Sequence, residues 1–151
     1  MASCSSDDDN SGPGDAASGE LVATVDGAGF SANAASTAAN VQSNVLTITA
    51  ENANGDNIAI TLTPFNGEAE YDLSGFTSEA TAIYLPNGDN QFYNSGNEGG
   101  AGTITILTVD TAAGTISGNF NFTAVRTNSN GPNETVEVSN GTFINVTTTG
   151  L

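Results

Sequence analysis

The sequence predicts an all-β domain, an antiparallel β-sandwich or barrel of about eight to ten strands. Three observations carry that expectation. Apolar residues fall in short runs that alternate with polar ones, the period-two pattern of a strand with one buried face. The palette is Val, Ile, Leu, Phe and abundant Thr, with no Trp and no Lys, which favours pleated strands over helices. Asp-Gly, Asn-Gly and Pro-Asn-Gly steps separate the runs at hairpin spacing.

The elements follow in order. Leu21-Val22-Ala23-Thr24-Val25 is a strand that runs into the turn Asp26-Gly27. Residues 32–39 are rich in Ala, and with no other helix signal they read as a loop or edge region. Val45–Ala50 places Leu46, Ile48 and Ala50 on one face, and Ile58–Thr63 does the same with Ile58, Ile60 and Leu62. With the Asn/Gly loop between them these two form a hairpin, ended by Pro64. Ala69–Leu73 and Ala80–Leu85 follow, the second ending at Pro86-Asn87-Gly88. Thr103–Val109 and Thr115–Thr123 flank Asp110-Thr111-Ala112-Ala113-Gly114 as another hairpin. Here Ile116, Phe120, Phe122 and Ala124 share one parity against Ser117, Asn119, Asn121 and Thr123. Glu134–Val138 and Thr142–Val146 close the domain as two strands around Asn140-Gly141.

Charge excludes several functions. Seventeen acids face one base, Arg126, for a net charge of −16. Asp7, Asp8, Asp9, Asp15 and Glu20 lie in the first twenty residues, which leaves −11 on the remainder. Such a body repels phosphate backbones and lacks the Lys and Arg that counterion release needs, so nucleic acid is not an expected partner. With no His and a single Cys, one chain cannot build a nitrogen–sulfur metal site. A Ser-His-Asp set, a Cys-His pair and a Lys nucleophile are all beyond this composition. A carboxylate pair is the one catalytic chemistry left, with Glu68, Glu70 and Asp72 as candidates. On a strand, i and i+2 residues merely share an outer face, so they read as a solvated edge and no enzyme is expected.

The first residues, Met1-Ala2-Ser3-Cys4-Ser5-Ser6-Asp7-Asp8-Asp9, set small residues before a lone cysteine and an acidic run after it. This resembles the cleavage end of a bacterial lipoprotein signal, with Cys4 as the lipidated residue. The run Ser5, Ser6, Asp7, Asp8, Asp9 resembles the surface-export signal of Bacteroidota outer-membrane lipoproteins. On that resemblance the sequence starts just inside the lipobox, with Met1 as a start codon or a native lipobox residue. Val25-Asp26-Gly27…Phe30, Ile116-Ser117-Gly118-Asn119-Phe120-Asn121-Phe122 and Ser139-Asn140-Gly141-Thr142-Phe143 resemble a family of small Bacteroidota surface lipoproteins, all-β and of unknown function. The resemblance spans most of residues 20–147 and implies residence on the extracellular face of the outer membrane. It carries no activity. Residues 1–19 are accordingly expected to be a disordered acidic tether, and 20–151 a single domain that meets the membrane only through a lipid on Cys4.

What remains points to binding. The segment Pro86–Gly102 is the longest without strand periodicity, and such a connection in a small domain tends to be functional or disordered. Phe92 and Tyr93 are adjacent, so on an extended chain one should face outward, where an aromatic contacts sugar or protein. Asp89, Asn90, Asn94, Asn97 and Glu98 add oxygens and amides suited to a glycan or to weakly held Ca²⁺. No other cofactor is expected. Asp7, Asp9, Ser11, Gly12 and Asp15 match part of a calcium loop, but Pro13 and Ser18 break it. Arg126 reads either as a clamp for a ligand carboxylate or as half of a surface ion pair. Thr111, in Asp110-Thr111-Ala112 at a hairpin tip, resembles a Bacteroidota O-glycosylation acceptor. The expected function is a surface-exposed, non-catalytic binding or accessory module for a glycan or a surface protein. The alternatives are a structural component of a larger surface assembly and, distantly, a carboxylate hydrolase.

Overall fold

Eleven strands and no helix make up the described part of the chain, residues 16–75 and 80–151 of a computed structural model. In chain order they are β1 (Leu21–Val25), β2 (Ala28–Ala32), β3 (Thr37–Gln42), β4 (Val45–Glu51), β5 (Asn57–Leu62) and β6 (Ala69–Asp72). β7 (Ala80–Leu85), β8 (Tyr93–Asn94), β9 (Ala101–Asp110), β10 (Thr115–Arg126) and β11 (Glu134–Thr149) complete the set. Two tight hairpins open the fold. Asp26 and Gly27 at φ 47° and 86° join β1 to β2, and Ser43 and Asn44 at 52° and 69° join β3 to β4. Two left-handed residues in a row match the twist of the strands they connect.

The long strands β10 and β11 form the spine. On one edge of the pair, β9 lies along β10 and β6 along β9; on the other, β1 lies along β11 and β2 along β1. The meander β3-β4-β5-β7 supplies the second wall. It joins the spine at two corners. Thr148 and Thr149 of β11 pair parallel with β3, and β8 bridges β7 to Val125 of β10. The hydrogen-bonded path through β11, β3, β4, β5, β7, β8 and β10 therefore returns to its start, giving a sandwich closed like a barrel.

The interior is one hydrophobic cluster drawn from both walls. Leu46, Ile48 and Ala50 face Ile58, Ile60 and Leu62 across the β4–β5 hairpin, all of them buried. Ile116, Phe120, Phe122 and Ala124 are buried while Asn119 and Asn121 are exposed, so the parity expected for β10 holds. Phe120 lies 6.2 Å from Phe122 and 6.3 Å from Phe143, ring centre to ring centre.

Two expectations need correction. The Asn140-Gly141 step is not a turn between two strands; β11 runs unbroken through it. Opposite Phe120 and Phe122 of β10 stand Gly141 and Val138, so β11 carries one residue more and bulges there. A second irregularity lies between Ile116 and Gly118, which pair with Val146 and Phe143. Asn140 and Asn145 take φ of 52° and 48° at these places, a conformation that Asn tolerates in a bulge as well as in a turn. The Ala-rich region 32–39 is more than a loop; the edge reading fits β2, a terminal strand of the sheet, but not β3, which pairs with β4 and with the end of β11. The region holds the end of β2 and the start of β3, around a turn in which Asn33 Oδ1 accepts from the amides of Ala35 and Ser36. Alternating burial of Phe30, Ala32, Thr37 and Ala39 holds these strands despite weak propensity.

Candidate functional site

The 86–102 segment is a connection from β7 to β9, interrupted by the two-residue β8. Backbone bonds fold it back on itself: Asp89 N donates to Pro86 O, Ser95 N to Ala82 O at 2.9 Å and Gly100 N to Asn97 O at 2.8 Å. Ser95 is fully buried, and its Oγ accepts from Ala82 N at 2.9 Å, so backbone and side chain together anchor the loop to β7. Asn94 Oδ1 accepts from Gly96 N at 2.7 Å. A Cβ on Gly100 would stand 2.0 Å from the Ser95 carbonyl oxygen, so no larger residue allows this return.

Arg126 organises the surface of the loop. It ends β10 directly opposite Glu134, the first residue of β11. Its Nε donates to Glu134 Oε2 at 2.8 Å and its Nη2 donates to the same oxygen. From the other side, Nη1 donates to Asp89 Oδ2 at 2.7 Å. The guanidinium carbon sits 4.6 Å from the centre of the Tyr93 ring, which in turn packs against Tyr84 at 6.2 Å. The hydrogen bonds Arg126 donates to Glu134 and then to Asp89 push its pKa above its already high ordinary value, so the group is a fixed cation. Asn97 Nδ2 donates to the neighbouring Val125 O at 2.7 Å.

Two shallow clefts flank the guanidinium. One, of about 390 Å³, is lined by Gly88, Asp89, Asn90, Gln91, Asn128 and Glu134 beside Arg126. The other, of about 350 Å³, adds Phe92, Asn94, Asn97 and Thr127. Asn90, Gln91 and Arg126 line both, so the clefts adjoin.

With this geometry in hand, the comparison with known families has a clear result. Residues 18–147 match the family described as a domain of unknown function, DUF6252. The chain belongs to the DUF6252 family. No curated protein and no solved structure matches it.

In this DUF6252 domain, Asp89, Asn90, Phe92, Asn94 and Asn97 come together along the clefts, and Tyr93 lies beneath Arg126. Phe92 is 49% exposed and Tyr93 half-buried, so the adjacent rings divide between solvent and support. Glu98 is exposed but lines neither cleft. Asp89, the acid on which calcium would depend, already faces the guanidinium, and no group of three or more metal-ligating side chains occurs among the described residues. Gln91, Thr127, Asn128 and Glu134 escape sequence reasoning. The signal for Glu134 is the β10–β11 register, which sets it across from the one base; composition alone leaves a dozen acids to choose from.

The remaining candidates lie elsewhere. Cys4 and the run Ser5, Ser6, Asp7, Asp8, Asp9 fall outside the described residues. The described chain begins at residue 16, and Ser18 already bridges to Ile144 of β11. Thr111 is exposed at the tip of the β9–β10 hairpin, which Asp110 caps through its Oδ1 to Ala113 N at 2.9 Å. Glu68, Glu70 and Asp72 line neither of the clefts beside Arg126. Glu68 Oε1 accepts from Val109 N at 3.1 Å, and Asp72 is held by the hydroxyl and the backbone N–H of Ser74. Those two hydrogen bonds, the hydroxyl's first, keep the Asp72 pKa below the ordinary carboxylate value, which suits a solvated anion rather than a proton donor.

Proposed function

We propose that this DUF6252 domain is a non-catalytic binding module, held at the outer face of the outer membrane by a lipid on Cys4 and a tether that ends before Ser18, where the chain bridges to β11. One observation carries the binding reading. The single base of a chain of net charge −16 is fixed between Asp89 and Glu134 on the Tyr93 ring, with an open cleft to either side and an exposed Phe92 at the rim. A loop rigidly pinned through Ser95, rather than a mobile one, presents these groups at little ordering cost on binding. The small residues before Cys4 and the acidic run after it support the anchor, and the exposed Thr111 is proposed as a glycan acceptor on the same surface.

Titration of the soluble domain with surface glycans and surface-protein fragments, followed by backbone amide shifts, tests the reading. Shifts should concentrate in residues 86–102 and 126–134. A ligand whose shifts fall wholly on another face overturns the site, and turnover of that ligand overturns the non-catalytic assignment.

A second reading, assembly through a strand edge, has one observation in its favour. Of the terminal strands, β6 carries Glu70 and Asp72, which discourage pairing, but β2 (Ala28–Ala32) carries no charge and no Pro. Ordered, concentration-dependent oligomers abolished by Gly29→Pro would favour it over the binding module.

A further inference from the structure

We infer that the Arg126 surface recognises a neutral, hydroxyl-rich glycan, with one sugar position on each side of the guanidinium. The inference rests on the binding-module reading and names its ligand class.

The argument begins with what Arg126 can no longer do. All three of its nitrogens already donate to Asp89 or Glu134, a ring covers one face, and its side chain is only 17% exposed. Three of its five N–H donors are spent, and a ligand carboxylate, sulfate or phosphate reaching for the other two would have to approach Asp89 and Glu134 as well. The chain's charge of −16 repels such groups as well. An acidic glycan is therefore disfavoured both locally and at long range.

The groups that stay free suit sugar hydroxyls. Arg126 uses Oδ2 of Asp89 and Oε2 of Glu134, so Oδ1 and Oε1 make no hydrogen bond among the described residues. Both carboxylates are accessible, with side chains 42% and 50% exposed, and both line the larger cleft. Each free oxygen can accept from a hydroxyl while the guanidinium holds the other oxygen in place. The side-chain amides of Asn90 and Gln91 likewise make no hydrogen bond among the described residues, and they lie where the clefts meet. An amide both donates and accepts, which is what a pair of neighbouring hydroxyls requires. Phe92 then gives the second cleft a flat apolar surface for the C–H face of a sugar ring. A peptide partner would call for a wider apolar floor, whereas Phe92 is the one exposed ring in a lining otherwise made mainly of amides, hydroxyls and charges.

The test uses neutral hexasaccharides of glucose, mannose and xylose, with an oligogalacturonate as the acidic counterpart, each titrated into the domain with amide shifts and calorimetry as readouts. At least one neutral probe should bind at millimolar Kd or better and shift Gln91, Asn94 and Asn128 together, while the oligogalacturonate binds at least about tenfold more weakly. Phe92→Ala and Gln91→Ala should each weaken the neutral probe about tenfold, with unchanged spectra elsewhere, and Asn119→Ala on the outer face of β10 should change nothing. Failure of every neutral probe to shift these amides overturns the inference, as does an oligogalacturonate that binds equally well. A peptide that shifts the same amides while the sugars do not overturns the sugar and leaves the binding module standing.

Discussion

Phe120→Ala is the sharpest test of how this fold is held. The ring is 2% exposed and sits between Phe122 and Phe143, while its cross-strand partner Gly141 offers no side chain to fill the space. Emptying a buried aromatic site costs about 3–5 kcal/mol. The upper half of that range is expected, because β10 is paired along both edges, by β9 and by β11, and cannot settle into the void. The matched control is Asn121→Ala, one residue on and exposed, where a surface change stays within about 0.5 kcal/mol. Urea denaturation followed by tyrosine fluorescence reads both. With an m-value near 2 kcal/mol/M, a loss of about 4 kcal/mol lowers the midpoint by roughly 2 M. Equal midpoints for the two variants, at unchanged m, would refute the assignment of Phe120 to the interior.

Three further predictions address single contacts. Gly141→Ala places a Cβ 2.5 Å from the Phe120 ring and should cost about 1–3 kcal/mol in urea midpoint terms, whereas Gly29→Ala, with nothing within 4 Å, should be close to neutral. Ser95→Ala removes the buried Oγ that accepts from Ala82 N and should destabilise by about 1–3 kcal/mol, measured the same way. Ser74→Ala should raise the Asp72 pKa, read from the carboxyl carbon shift. Asp72 titrates lower in the folded state, so its contribution is present above the unfolded value and lost as pH falls through the folded one; the variant should lose less stability on acidification.

The fold was legible wherever alternation met a strong palette. Leu46-Thr47-Ile48 and Phe120-Asn121-Phe122 declare their inner faces because a β-strand has period two. β2 and β3 were not legible, since in Ala-Gly-Phe-Ser-Ala and Thr-Ala-Ala-Asn-Val-Gln the strand formers are diluted by Ala, Gly, Ser and Asn, and the segments owe their state to pairing with β1 and β4. Asn140-Gly141 misled for a physical reason: a left-handed pair serves a bulge or a hairpin equally well, and only the partner strand decides. For the site, the loop could be read from its lack of period and its adjacent aromatics. The joining of Asp89 to Glu134 through Arg126 could not, because it depends on where two distant segments meet the end of β10.

That junction has a structural duty that bears on binding. The barrel closes between β8 and β10 through a single residue pair, Asn94 with Val125, whereas β4 and β5 share six. Next to this thin seam stand the contacts already described: Arg126 on Tyr93 of β8, Arg126 to Asp89, and Asn97 Nδ2 to Val125 O. The same residues that frame the clefts thus hold the seam shut. Arg126→Gln should therefore act locally. Its loss of surface ion pairs should cost the whole domain little, but amide exchange at Ser95 and Asn97 should accelerate well beyond that at Ile48 and Ile60 in the β4–β5 hairpin. Hydrogen exchange resolved by residue measures this, and a bound ligand spanning both clefts should slow exchange at Ser95 and Asn97 in the unaltered protein. Uniform acceleration across the sheet, or none at Ser95 and Asn97, would mean that backbone pairing alone keeps the seam closed and that Arg126 serves only the surface.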